Sequence, residues 1–236
     1  MAALDRNPLT IVREAVAGAP GRDLPERMRA AVREHAMTSE VLVKLIQLTV
    51  VLIWAALYAA APKTDAGTAF SPVPYALGTY LAINALGLLW VMKRELPAWA
   101  VYLSIGLDVA VLMLLIWSFH VQYGQPPSFY LKAPTLLYTF IFIALRALRF
   151  EARFVLAAGI FAAAGWLVLA GYAVLADPAH ATITRNYVTY MTSNAVLIGA
   201  EFDKIVSILM VSGILALALR RANNFLSRAT TEGITA

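Results

Sequence analysis

Residues 191–221 read MTSNAVLIGAEFDKIVSILMVSGILALALRR, and the fold turns on how this stretch is read. A long apolar run with carboxylates near one end and paired arginines at the other predicts a membrane-crossing helix. Counting back from Arg220 at about 1.5 Å per residue places Asp203 roughly 26 Å away and Glu201 roughly 28 Å away, at the far edge of a hydrocarbon layer about 30 Å thick. Glu201, Asp203 and Lys204 therefore form a charged outer rim. Past Arg221, the residues Leu215, Leu219, Ala222, Leu226 and Ala229 are spaced alternately four and three apart, the seam of a short parallel coiled coil. That seam predicts a homodimer with this helix near its axis.

The rest of the chain agrees with a membrane domain. At 61% hydrophobic and 14% charged residues, 236 residues are too apolar for one soluble core. The absence of cysteine excludes a disulfide framework and thiolate-held metals or iron-sulfur clusters. The net charge of +5 has no basic, aromatic-interleaved face to go with it, which excludes a nucleic-acid partner.

Six apolar runs are expected to cross the membrane, over 41–61, 73–92, 98–119, 133–148, 154–176 and 195–219. The fourth is the shortest, but Phe129, Tyr130 and Leu131 extend it across a kink or first turn at Pro134. Short connections predict an all-α bundle with neighbouring spans antiparallel. Residues 1–38 are read as a cytoplasmic amphipathic segment, 39–221 as the transmembrane domain and 222–236 as the start of a cytoplasmic helical linker. In the first of these, Leu24, Met28, Ala31, Val32 and His35 share one helical face behind Pro25, suiting either an interfacial helix or one packed on a partner.

Orientation follows from the basic residues. Fifteen, including Lys44, Lys93, Arg94, Arg146, Arg149, Arg153, Arg220 and Arg221, flank one set of span ends; Lys63, Lys132, Arg185 and Lys204 flank the other. This bias places both termini in the cytoplasm of a bacterial inner membrane.

Polar groups at membrane depth cost roughly 2.5 to 3.5 kcal/mol each on insertion scales, so they are expected to face the bundle interior. Asp108 and Asn84 fall at similar depth on adjacent spans, and a hydrogen bond between them is expected. It serves either as glue between helices or as a proton or ligand site. Lys132 falls near Glu201 and Asp203 in depth, predicting one network of Lys132 with both carboxylates and Lys204. That network is either a packing device or a polar pocket. His35, His120 and His180 are too few and too scattered to ligate a membrane dihaem centre. No phosphate loop, nucleophile with base, or metal-binding spacing appears.

The segments FYLKAPTLLY (129–138), IALRALRFE (143–151) and YMTSNAVLIGAEFDKI (190–205) resemble the six-helix membrane anchor of bacterial class III adenylate/guanylate cyclases. The resemblance covers most of the chain after about Val41 and is best in the last three runs. It implies a dimer in which a cytosolic cyclase domain follows the last helix and converts ATP to cyclic AMP with two divalent metal ions held by aspartates. The residues to Ala236 include no such aspartates, so that activity and its cofactors are expected of a parent chain, with none here. The expected role is a receptor-like anchor relaying a membrane or periplasmic signal to the cyclase domain. Its ligand, if any, would be a lipid, a quinone or a small periplasmic molecule. The alternative is a small proton-coupled carrier using Asp108 and the rim charges, although the chain lacks inverted repeats.

Overall fold

The computed structural model describes residues 26–60, 71–94, 96–176 and 182–234, with side chains described between 37 and 224. The elements are α1 (Glu26–Ala60), α2 (Pro72–Lys93), α3 (Ala98–Gln122), two 3-10 helices (Pro127–Lys132 and Pro134–Leu137), α4 (Tyr138–Ala147), α5 (Ala152–Leu175), α6 (Tyr187–Thr192) and α7 (Ile198–Ile234). The described residues are mostly helical and form no strand; Ile183 and Val196 make one isolated parallel bridge.

Local sequence sets the boundaries. Pro72 lies in the first turn of α2 and Pro97 caps α3, positions where a missing N–H costs nothing. Gly124, at φ +58°, takes the left-handed conformation that turns the chain out of α3. The Asn186 side chain accepts from the Val188 and Thr189 amides at 2.8 and 3.2 Å, capping α6.

Among the described residues, five helices are long and apolar enough to cross a membrane: 37–60 of α1, α2, α3, α5 and 198–224 of α7. Their polarity is inside out. Leu57, Leu86, Leu114, Val168 and Ile214 are exposed, whereas Lys44, Gln47, Asn84, Asp108, Arg146 and Glu201 are buried. Water would reverse that arrangement, and a hydrocarbon solvent favours it.

α5 lies at the centre, packed on α3, α4 and α7. Its buried face carries Phe154, Ala158, Ala162 and Trp166. At Gly159, a Cβ would come within 2.0 Å of Ser212 Oγ on α7, so the two helices meet as closely as backbones allow.

One expectation is corrected. The fourth run is not a regular α-helix: Pro127 and Pro134 each open a 3-10 segment, and the α-helix begins only at Tyr138. Proline removes a donor and restricts the residue before it, so two of them seven apart break the ladder twice. α1 continues as one helix across residue 38, and its membrane-length apolar part begins at Met37. Leu215 and Leu219, the first two seam positions, are partly buried against their own bundle. A four-three spacing on a helix apolar all round cannot distinguish contacts within a chain from contacts between chains. Ala222 is exposed; the side chains of Leu226 and Ala229 and residues 1–25 lie outside what is described.

Candidate functional site

Two separate buried polar clusters lie within the bundle. The first joins α1, α2, α3 and α4. Arg146 reaches across from α4 to form an ion pair with Asp108 on α3, each about 2% exposed. Gln47 Nε2 donates to the same carboxylate at 2.7 Å and stands 3.1 Å from the Tyr80 hydroxyl. Lys44 Nζ lies 3.0 Å from Asn84 Oδ1 and 2.9 Å from Ser104 Oγ, and Arg146 Nη2 lies 3.2 Å from that same Ser104 oxygen. Asn84 and Asp108 thus share a cluster, but not through the expected direct bond. Lys44, Ser104 and Arg146 stand between them.

Lys44, Gln47 and Arg146 are the residues missed. Counting basic residues by side puts Lys44 and Arg146 at a surface, whereas both are buried. A signal was available: Glu40, Lys44 and Gln47 fall at i, i+4 and i+7, a polar stripe on one face of an apolar helix. Glu40 is itself buried and pairs with Arg149, which also bonds Glu151 at 2.6 Å.

The second cluster surrounds Glu201 at the start of α7. Its carboxylate is 3% exposed and accepts from Trp166 Nε1 at 3.0 Å, from the Tyr190 hydroxyl at 3.1 Å and from Lys204 Nζ at 2.9 and 3.0 Å. Lys204 also donates to the Leu131 carbonyl at 2.6 Å, which fastens the 3-10 segment to α7. Burial, and then the Glu201 carboxylate, raise the Tyr190 pKa above its ordinary value, so the phenol stays a donor.

The expected network of Lys132 with both carboxylates is corrected. Lys132 donates to the Ser193 carbonyl, and its ammonium stands 5.1 Å from the centre of the Tyr190 ring. Asp203 is exposed, because residues two apart on a helix do not face the same way.

Two clefts adjoin these clusters, each of about 230 Å³. Trp54, Tyr80, Tyr138 and Phe142 line one, which reaches the Asp108 cluster at Tyr80; Trp54 and Tyr138 stack at 4.3 Å. The other, between α5 and α7, has Glu201 and Phe202 in its wall. Among the described residues, no group of three or more histidine and carboxylate side chains could hold a metal ion. His120 packs by its edges against Trp117 and Tyr130.

The chemistry available is ion pairing and proton binding. Comparison with protein-family models, with curated proteins and with solved structures returns no match.

Proposed function

We propose that this chain is the membrane anchor and receptor-like regulatory domain of a class III adenylate cyclase, the family whose anchor its last three apolar runs resemble. The observation that carries this reading is the continuity of α7. It begins at the Glu201 cluster and runs 37 residues to Ile234 without a break, about 55 Å. One rigid element thereby joins a polar site at one end of the bundle to whatever follows at the other.

The broken segment supplies the sixth crossing. Its 3-10 turns rise about 2.0 Å per residue and α4 about 1.5 Å, enough for roughly 35 Å from Pro127 to Ala147. Two contacts support this: Lys132 meets Ser193 beside the Glu201 cluster, and Arg149 meets Glu40 beyond the Asp108 cluster. Six crossings put both termini on one side. With Lys44 and Arg146 withdrawn from the tally, thirteen basic residues still favour that side against four, which makes it the cytoplasm of a bacterial inner membrane. The outward face of α7, with Val206, Met210, Ile214 and Leu217 exposed, offers the dimer surface in place of the Leu215 seam. The clefts would take a lipid, a quinone or a small periplasmic molecule, and ATP and divalent metal ions belong to the cyclase domain.

The test joins a class III cyclase catalytic domain after Ala236 and measures cyclic AMP synthesis per folded dimer. Glu201→Gln and Lys204→Met are expected to change basal activity several-fold, since couplings of about 1 to 3 kcal/mol correspond to roughly 5- to 150-fold. Unchanged specific activity in both would defeat the relay. The buried Asp108 favours a second reading, a proton-coupled carrier. Proton uptake into proteoliposomes, lost in Asp108→Asn, would support it.

A further inference from the structure

The end of α2 and the start of α3 carry an exposed patch that combines charge with apolar surface. Leu86, Leu89, Trp90, Lys93 and Arg94 follow one another at i, i+3, i+4, i+7 and i+8, which puts them on one stripe running to the cap of α2. All five are exposed, Leu86 by 67% and Leu89 by 55%. Asn84 and Gly87 turn the opposite face of α2 toward Lys44, so the stripe points away from the bundle. Leu89, Trp90, Lys93 and Arg94 wall an open groove there. Trp99, in the first turn of α3, meets the Trp90 ring edge-on at 6.2 Å.

The two cations lack what other basic residues of this chain have. Arg146, Arg149, Arg153 and Lys204 each pair with a carboxylate. Lys93 and Arg94 make no ion pair or side-chain hydrogen bond among the described residues. The carbonyls at the end of α2 attract a cation weakly and only within the last turn, which accounts for neither the second cation nor the two indoles.

The stripe also changes character along its length. Leu86 lies roughly 10 Å below Lys93 on the helix axis, with Trp90 between them. A phospholipid has the complementary profile of phosphate over glycerol over hydrocarbon, and tryptophan settles at the level between head and chain. A zwitterionic lipid brings its own ammonium to compete with Lys93 and Arg94; an anionic one does not.

We propose that this stripe binds one anionic phospholipid of the surrounding bilayer, its phosphate between Lys93 and Arg94, an acyl chain along Leu89 and Leu86, and the Trp90 and Trp99 rings beside the glycerol. Such a site requires only that α2 and α3 cross a bilayer, and it stands or falls apart from any link to a cyclase.

The test reconstitutes the full chain in phosphatidylcholine vesicles containing phosphatidylglycerol, with bromine on the acyl chains of one lipid or the other, and measures tryptophan quenching. Brominated phosphatidylglycerol is expected to quench more than an equal mole fraction of brominated phosphatidylcholine, and the excess to vanish in Trp90→Phe with Trp99→Phe. Lys93→Gln and Arg94→Gln should each lower the preference about fivefold, as expected for one basic residue at an anionic surface. Both side chains are exposed and unpaired, so these variants retain the fold. Arg220→Gln with Arg221→Gln removes the same charge elsewhere and should leave the preference unchanged, and soluble glycerol 3-phosphate should not displace the lipid. Five results would each overturn the inference: equal quenching by the two lipids, an excess that survives loss of both tryptophans, a preference that survives Lys93→Gln with Arg94→Gln, an equal loss in the Arg220 and Arg221 variant, or displacement by the soluble phosphate.

Discussion

Asn223 on α7 donates its side-chain amide to the Phe150 carbonyl at 2.7 Å, tying the helix that leaves the bundle to the turn between α4 and α5. Phe150 is held at φ +56°, a conformation that bulky residues rarely take. The same turn carries Arg149, bonded to Glu40, so α1, α4 and α7 meet at a strained residue. Asn223→Leu is expected to cost about 1 kcal/mol and to speed amide exchange across 148–151. Phe150→Asn keeps the carbonyl and suits the backbone, so its melting temperature should match or exceed that of the wild type. A loss above about 2 kcal/mol in Phe150→Asn would show that the ring, and not the backbone, holds the turn.

The Glu201 carboxylate answers three donors at once, so truncating it leaves Lys204 without its counter-charge and the Trp166 N–H without its acceptor. Breaking a buried pair from one side costs about 3 to 5 kcal/mol; Lys204 is a quarter exposed, which points to the lower end. Glu201→Leu is therefore expected to lose about 3 kcal/mol, and Glu201→Leu with Lys204→Met to recover most of it, since replacing both ions with apolar groups removes the uncompensated charge. Additive losses in that cycle would show that the pair is not coupled.

The crossing of α5 and α7 tests packing without charge. A methyl at Gly159 would meet Ser212 Cβ at 2.5 Å as well as its hydroxyl, so Gly159→Ala forces two helices apart. Overpacking of this kind costs about 1 to 3 kcal/mol. Ser212→Ala keeps the offending Cβ and should not rescue it, whereas Ser212→Gly should. Rescue by Ser212→Ala would put the strain in the hydroxyl alone.

How far the sequence reaches depends on which solvent a residue answers to. Runs such as 98–119 and 154–176 are legible because a bilayer demands length and apolarity, and both appear as helices close to those bounds. The Glu201–Lys204 pair is legible because three residues on one helix are neighbours. Trp166 and Tyr190 are not, since only the approach of α5 and α6 to α7 brings them to that carboxylate. Lys44 and Arg146 were hidden for a different reason. Each lies near the end of an apolar run, where a basic side chain ordinarily reaches the interface, and only the facing partners on α2 and α3 turn it inward.

The Asp108 cluster yields a ranking that its charge count fixes in advance. Asp108 and Arg146 neutralise each other, so removing either strands a charge, and Asp108→Asn and Arg146→Met are each expected to cost about 3 kcal/mol or more. Lys44→Met loses hydrogen bonds to two neutral acceptors, Asn84 and Ser104, and is expected to cost about 1 to 3 kcal/mol. The double variant Asp108→Asn with Arg146→Met should sit closer to the wild type than either single change, because no stranded charge remains. Thermal denaturation of the wild type and these four variants in one detergent, each checked for monodispersity, measures the ranking. A double variant less stable than both single changes would show that Asp108 and Arg146 are not coupled.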